Sequence, residues 1–542
     1  MTLLSVENLS LSIGDARILK DVSFDLEAGE TLGLVGESGS GKSMTALSLM
    51  RLAPESAAVE GAVRFDGEDV LTMRAPGVRA LRGRRIAMAF QEPMTALNPV
   101  ETIGAQVAEL FRTHQNVGKG EALNFARGAL ERAELPAGRF PLDRYPHELS
   151  GGQRQRVVIA MATALRPDVL IADEPTTALD VTTQAEILKL LRRLSAEDGT
   201  ALLFITHDLA VIAEMADRVA VMKDGEIVEA GPTASLFAAA SHPYTKALKA
   251  ASTLAPRAPR PTEATAAPVL EAKSVVRDYV GPRPHLFAKP VSIRANDNVS
   301  LVLRPGETLG LVGESGCGKS TLARALMGLE AVQGGEVCLG GEVFSNRKPA
   351  DVRALRRRIQ VVFQDPYGAF NPRHAVGRIV AEPLHLLDAP PDKAETEKKV
   401  AAALESVGLA PGDAAKFPHA FSGGQRQRIA IARALIVRPD VVVLDEAVSA
   451  LDVRVRAHIL DLLADLGARL GIAYLFISHD LKVVRAVADR IAVMKDGRIV
   501  EEGATETVFA APAHPYTASL LAATPDLGAA LARRAERSAH AD

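Results

Sequence analysis

The feature that most limits what this chain can fold into is a duplication of nearly its whole length. Ser150-Gly151-Gly152-Gln153 recurs as Ser422-Gly423-Gly424-Gln425 (422 − 150 = 272). Asp173-Glu174 recurs as Asp445-Glu446, His207-Asp208 as His479-Asp480, and His242-Pro243-Tyr244-Thr245 as His514-Pro515-Tyr516-Thr517, all at that offset. An octapeptide earlier in each half, Gly36-Glu37-Ser38-Gly39-Ser40-Gly41-Lys42-Ser43 and Gly313-Glu314-Ser315-Gly316-Cys317-Gly318-Lys319-Ser320, is displaced by 313 − 36 = 277. Small compensating indels therefore lie between it and the later motifs. A period this long is a tandem duplication of a domain, because solenoid repeats run only about 20–50 residues. The segment 255–268, rich in Pro and Ala and without apolar periodicity, reads as the linker. The expected domains are thus 1–254 and 269–524, with a tail at 525–542 that is either a frayed helix or disordered.

Both octapeptides fit the G-x-x-x-x-G-K-[ST] pattern of a phosphate-binding loop. Each follows an apolar run (Thr31 to Val35; Thr308 to Val312) and leads into a helix-compatible segment. Glycines let successive backbone N–H groups converge on phosphate oxygens, and the helix N-terminus adds its positive dipole end. Lys42 and Lys319 would reach the β- and γ-phosphates, and Ser43 and Ser320 would ligate Mg²⁺. Further on, continuous apolar runs at 169–172, 441–444, 202–205 and 474–477 read as central parallel strands buried on both faces. Amphipathic segments at 185–194 and 457–466 lie between them, so each half is α/β, with mainly helical middle segments at about 100–165 and 373–437.

Two acids end the first of those strands in each half. Asp173 and Asp445 suit water-mediated support of Mg²⁺, and Glu174 and Glu446 suit a general-base or water-orienting role opposite the γ-phosphate. A lone Asp-Glu pair fits a surface turn equally well, but not at the end of a buried strand behind a phosphate loop. His207 and His479 follow the next strand and could hold the attacking water. Gln91 and Gln364, at the ends of short apolar strands, are neutral amides able to ligate Mg²⁺. Ser150, Gly151, Gly152, Gln153 and Ser422, Gly423, Gly424, Gln425 open helices and offer a second anion site, which one domain has no evident use for.

Composition narrows the remaining classes. A net charge of −3 gives no electrostatic footprint for nucleic acid. No apolar run is long enough to cross a bilayer, and the N-terminus lacks the pattern of a secretory signal. Two cysteines, Cys317 and Cys338, exclude a disulfide framework or a Cys-based zinc site. We expect a protein of a reducing cytosol. Cys317, where the first loop has Ser40, is either a redox switch or simply a tolerated small residue.

The order of phosphate loop, Gln, Ser-Gly-Gly-Gln, strand-Asp-Glu, Ala-Leu-Asp and His resembles the ATP-binding cassette (ABC) ATPases, twice over. The resemblance implies two tandem P-loop NTPase (RecA-like) α/β domains, each with an antiparallel β lobe and an inserted helical lobe. It also implies head-to-tail pairing within the chain, so that no homodimer is required. One ATP would then lie between 36–43 and Ser422–Gln425, the other between 313–320 and Ser150–Gln153, with Asp180 and Asp452 communicating across the interface. Residues 91–99 and 364–372, and the His-Pro-Tyr-Thr repeats, are similar to those of dipeptide, oligopeptide and nickel importers, and the fusion resembles the glutathione- and microcin/peptide-type importer ATPases. That likeness implies peptide or small-solute import with ATP and Mg²⁺, two membrane permease subunits docking at 92–99 and 365–372, and a solute-binding protein. The location implied is peripheral, on the cytoplasmic face of the bacterial inner membrane. Tyr279 occupies the place of the family's adenine-stacking aromatic, whereas Ile13 stands there in the first half. Asp445-Glu446-Ala447-Val448-Ser449 departs from Asp173-Glu174-Pro175-Thr176-Thr177 but keeps the acids. A soluble tandem-cassette ATPase acting on ribosomes or DNA is the alternative, and the short, only mildly basic linker argues against it.

Overall fold

A computed structural model describes residues 2–177, 179–254, 266–281, 290, 292–347, 352–449 and 451–539. Most of the expected linker, and Ala178 and Ala450 of the Ala-Leu-Asp motifs, lie outside these residues. The chain forms two compact units. One comprises 1–179, 183–253 and 525–542, the other 254–524 together with Asp180–Thr182.

In the first unit, Thr31–Val35 sits inside a six-stranded sheet. The order is Glu226–Pro232, Arg218–Lys223, Thr31–Val35, Ala201–Thr206, Val169–Asp173, Ile86–Ala89. Every pairing is parallel except the edge hairpin formed by the first two strands. Val169–Asp173 and Ala201–Thr206 are buried along their whole length, which is why they read as unbroken apolar runs. One face packs against a four-stranded antiparallel sheet (Ala16–Glu27, Thr2–Ile13, Ala57–Phe65, Glu68–Asp69) through a core that includes Leu4, Leu34, Phe65 and Ile171. The other face is covered by helices, with Phe204, Ile212 and Leu191 in that core. Ile103–Gln115 and Lys119–Arg132 form the inserted helical region, where Phe111 and Phe125 meet at 5.3 Å.

The second unit repeats this plan, with Thr308–Val312 between Ala473–Ser478 and Arg490–Lys495. Its antiparallel sheet runs Ser292–Leu303, Leu270–Val280, Gly334–Leu339, Glu342–Val343. Its helical region differs. In place of the 13-residue Ile103–Gln115 stands Val376–Ala381, which passes into a 3₁₀ turn at Glu382–Leu386. Pro383 explains the break, since it lacks an N–H and its ring crowds the preceding turn.

Residues Leu527–Ala539 form a helix that packs on Leu209–Met215 of the first unit. Leu527 and Ala530 are buried in that unit's core, and Arg534 Nε donates to the Ala213 carbonyl at 3.0 Å. The Arg-rich composition of this segment suggests fraying, but its apolar residues recur at helical spacing (527, 530, 531) and find a partner. Ending the chain at Thr524 would uncover the 209–215 helix. The expected result is faster amide exchange over 209–216 and a loss of roughly 1–3 kcal/mol from the first unit's stability. Exchange unchanged by the truncation would show that the packing contributes nothing.

Candidate functional site

Each phosphate loop turns on glycines at positions where a side chain would be strained by the backbone or crowded by a neighbouring carbonyl. Gly39 and Gly41 have φ of 79° and 101°, and Gly316 and Gly318 of 82° and 108°. A Cβ on Gly36 would lie 2.2 Å from the Met222 carbonyl, and one on Gly313 2.2 Å from that of Met494. The helices Lys42–Leu49 and Lys319–Leu326 start directly after these turns. The Lys42 side chain is 5% exposed, and Nζ donates to the Gly36 and Glu37 carbonyls, both at 2.8 Å. Lys319 does the same toward Gly313 (2.7 Å) and Glu314 (2.8 Å) and also touches Cys317 Sγ at 3.7 Å. Burial pushes the Cys317 thiol above its ordinary pKa, although the charge of Lys319 opposes this. A buried, protonated thiol is a poor nucleophile, so the small-residue reading of Cys317 accounts for it better than a redox switch.

The paired acids sit at the ends of Val169–Asp173 and Val441–Asp445, next to these loops in sequence-distant strands of the same sheets. Asp173 is 3% exposed, and burial raises its pKa while the Ser43 hydroxyl hydrogen-bonds it and works the other way. Asp445 is raised for the same first reason, burial, reinforced by the charge of Glu446. The Ser320 hydroxyl donates to its Oδ1 at 3.4 Å. Glu174 and Glu446 both adopt the left-handed backbone region, with φ of 46° and 49°, a costly conformation for a side chain with a Cβ.

Glu174 gathers three side-chain partners. His207 Nδ1 lies 3.3 Å from Oε1, while Gln91 Nε2 (3.1 Å) and Thr177 Oγ1 (2.7 Å) donate to Oε2. Burial alone would raise its pKa, but the His207 hydrogen bond and charge, the Thr177 hydroxyl and the Lys42 charge together hold it at about 2. Glu446 is also lowered against burial, by His479, whose Nδ1 is 3.3 Å from Oε1, and by Lys319. There Ser449 Oγ donates to the Glu446 backbone carbonyl at 2.9 Å rather than to the carboxylate. The structure therefore places Gln91 on the acid; Gln364 occupies the equivalent strand end and is exposed. The role of Thr177 is missed by sequence reasoning, where its only signal is the Thr-Thr to Val-Ser difference between the halves.

The Ser-Gly-Gly-Gln segments start the helices Gly151–Thr163 and Gly423–Leu435 with a capping box. Gln153 N–H donates to Ser150 Oγ at 3.3 Å and Ser150 N–H to Gln153 Oε1 at 3.0 Å; Ser422 and Gln425 do likewise at 3.4 and 3.0 Å. Ser150, Gly151, Ser422 and Gly423 are exposed. Tyr279, at the end of Leu270–Val280, stands beside Thr321 of the helix after the second loop. Its hydroxyl lies 3.5 Å from Thr321 Oγ1 and donates to Glu330 Oε2 at 2.6 Å, with the Arg277 guanidinium 4.6 Å over its ring. Ile13 ends the equivalent strand of the first unit.

Residues 19–177 and 296–449 match the ABC transporter family profile. The chain belongs to the ABC transporter family. Residues 228–272 and 500–541 match a further profile, the oligopeptide/dipeptide transporter C-terminal region. Over 96% of its length this ABC ATPase is 47% identical to the glutathione import ATP-binding protein GsiA of Escherichia coli O157:H7, covering 89% of that relative. The figures are the same for the proteins of that name from Escherichia coli K12 and Shigella dysenteriae serotype 1. The fold is that of two tandem ABC cassettes of α/β class, and the chain is the ATP-binding subunit type of a peptide-family importer.

Because the folded-state pKa of Glu174 is depressed, its ionised form stabilises the fold. That stabilisation is fully present above the unfolded value of 4.5 and is lost as pH falls toward about 2. Denaturant unfolding followed by circular dichroism should show wild type losing ground to Glu174→Gln as pH is lowered from about 5 to about 3. A difference independent of pH would contradict the ionised, hydrogen-bonded carboxylate.

Proposed function

We propose that this chain hydrolyses ATP to energise import of peptides or related small solutes, glutathione among them, and that each ATP is held between the phosphate loop of one cassette and the Ser-Gly-Gly-Gln segment of the other. The reading rests chiefly on one observation, made independently in both units: a buried loop lysine, a strand-end aspartate beside a loop serine (buried at Asp173, half-buried at Asp445), and a glutamate gripped by a histidine.

The residues present fit a triphosphate with a hydrated Mg²⁺. Asp173 Oδ1 is buried with no hydrogen-bond partner among the described residues, and it belongs to a carboxylate already bonded to the Ser43 hydroxyl. Ser43, Asp173 and Gln91, and Ser320, Asp445 and Gln364, would hold the ion, which when bound neutralises charge on the phosphate oxygens. Lys42 and Lys319 place a fixed ammonium at the loop. Glu174, kept ionised by its hydrogen-bond donors and the Lys42 charge, can accept a hydrogen bond from the attacking water and orient it. His207 and His479 keep the acid's second oxygen in place and reach toward the same region. Tyr279 would pack on the adenine of the second site, with no aromatic equivalent at Ile13.

The Ser-Gly-Gly-Gln segments support the shared-site reading. They are exposed, and the side-chain hydrogen bonds described for them close within their own capping boxes, leaving the Gly151 and Gly152 N–H groups for an outside anion. Asp180 and Asp452 would act at the same junction. Membrane coupling is assigned to 92–99 and 365–372, where Met94 and the adjoining Val100 are 66% and 78% exposed. Two permease subunits docking there, with a solute-binding protein delivering cargo, would place the chain peripherally on the cytoplasmic face of the inner membrane. No helix among the described residues is long and apolar enough to cross a membrane itself.

If the two sites act as one machine, Lys42→Ala should lower steady-state ATP turnover by roughly tenfold or more, and Glu174→Gln and Glu446→Gln should each do the same. Half the rate surviving in Lys42→Ala would mean independent sites. The chain should also co-purify from membranes with two hydrophobic subunits. Sedimentation with ribosomes instead would overturn the transport reading.

A further inference from the structure

The His-Pro-Tyr-Thr motif makes a contact that the chemistry above does not use. Tyr244 and Tyr516 are buried, and each phenol oxygen accepts a hydrogen bond from the phosphate loop: Glu37 N–H at 3.1 Å in the first unit, Glu314 N–H at 3.0 Å in the second. The partners are 207 and 202 residues apart in sequence, so the contact is tertiary. It involves the first peptide unit of each loop, whose carbonyl, on Gly36 or Gly313, accepts from the loop lysine at 2.8 or 2.7 Å. In a trans peptide the N–H and C=O point in opposite directions. Fixing the N–H on the tyrosine therefore fixes the carbonyl toward the lysine.

The tyrosine is itself held by a chain of contacts repeated in both units. Glu229 accepts the Ser241 and His242 N–H groups at 2.7 and 3.2 Å, and Glu501 accepts those of Ala513 and His514 at 2.7 and 3.0 Å. The histidines then cap the following helices, His242 Nδ1 accepting from Tyr244 N–H at 3.2 Å and His514 Nδ1 from Tyr516 N–H at 3.1 Å. Lys223 and Lys495 lie 5.5 and 4.9 Å over the two rings. The helices carrying the tyrosines thus cannot slide without disturbing the loop. Retention of every link in two copies separated by sequence drift points to a role for the hydroxyl that packing of the ring alone would not require.

We propose that Tyr244 and Tyr516 are positioning residues for ATP binding: each hydroxyl holds the first peptide of its phosphate loop so that the loop lysine stays aimed at the phosphates. The proposal rests on the ATPase reading and reaches beyond it, assigning the C-terminal motif of each cassette a part in nucleotide affinity.

Tyr→Phe removes only the hydroxyl and keeps the ring. Equilibrium binding of MgATP to the purified full chain, in a Glu174→Gln/Glu446→Gln background, is compared with and without Tyr244→Phe and Tyr516→Phe. The dissociation constant should rise about 3- to 10-fold with both changes, the worth of one hydrogen bond per site. In the hydrolytically active chain the loss should fall mainly on KM for MgATP rather than on kcat. Unchanged affinity overturns the proposal, and a lowered Tm with unchanged affinity assigns the hydroxyls to stability alone. If the parent chain binds no MgATP, the ATPase reading itself fails, and that result is separable from the other two.

Discussion

A buried ammonium is the constraint around which each cassette is built. Lys42 and Lys319 are each 5% exposed and donate to carbonyls of their own loops. Taking such a charge from water costs several kcal/mol unless anionic groups lie near. The acids at the ends of Val169–Asp173 and Val441–Asp445 supply that charge, and Lys42 in turn helps keep Glu174 ionised. The parallel sheet fixes this spacing, because the loop and the acids leave the carboxyl ends of strands in one sheet, where open α/β sheets bind ligands. A triphosphate entering here would meet a preorganised positive site.

The two cassettes are not copies in their chemistry. Thr177 donates to the Glu174 carboxylate, whereas Ser449 turns its hydroxyl to the Glu446 backbone. The first acid is held by more donors. Cys317 replaces Ser40, and Tyr279 has only Ile13 as its counterpart. The inserted helical region of the second cassette is broken at Pro383, where the first runs a continuous helix. If the sites are shared between cassettes, each site draws one loop and one capping segment from unlike partners, and unequal turnover at the two would follow from these differences.

Much of this is legible in sequence because the chemistry tolerates few alternatives. A loop that adopts positive φ at Gly39 and Gly41 favours glycine there, and strands buried on both faces are apolar along nearly their whole length. The less legible features depend on long-range geometry. Nothing local says that Tyr244 reaches Glu37, or that Gln91 turns to Glu174. The tail helix is obscured for a related reason: three apolar residues on an Arg-rich segment form a stripe only once a partner surface is known. The left-handed backbone at Glu174 and Glu446 has no sequence signal, since glutamate is not a residue chosen for that conformation.

The central claim, that each ATP is shared between cassettes, is tested most directly by counting bound nucleotide in two double variants. Lys42→Ala with Ser422→Glu damages both halves of one shared site and leaves the other intact. Lys42→Ala with Ser150→Glu spreads the same damage over both. Equilibrium dialysis with labelled MgATP, in the Glu174→Gln/Glu446→Gln background, should give about one nucleotide per chain for the first pair and none for the second. The reverse pattern, none for Lys42 with Ser422 and one for Lys42 with Ser150, would mean that each cassette binds ATP by itself and would contradict the account.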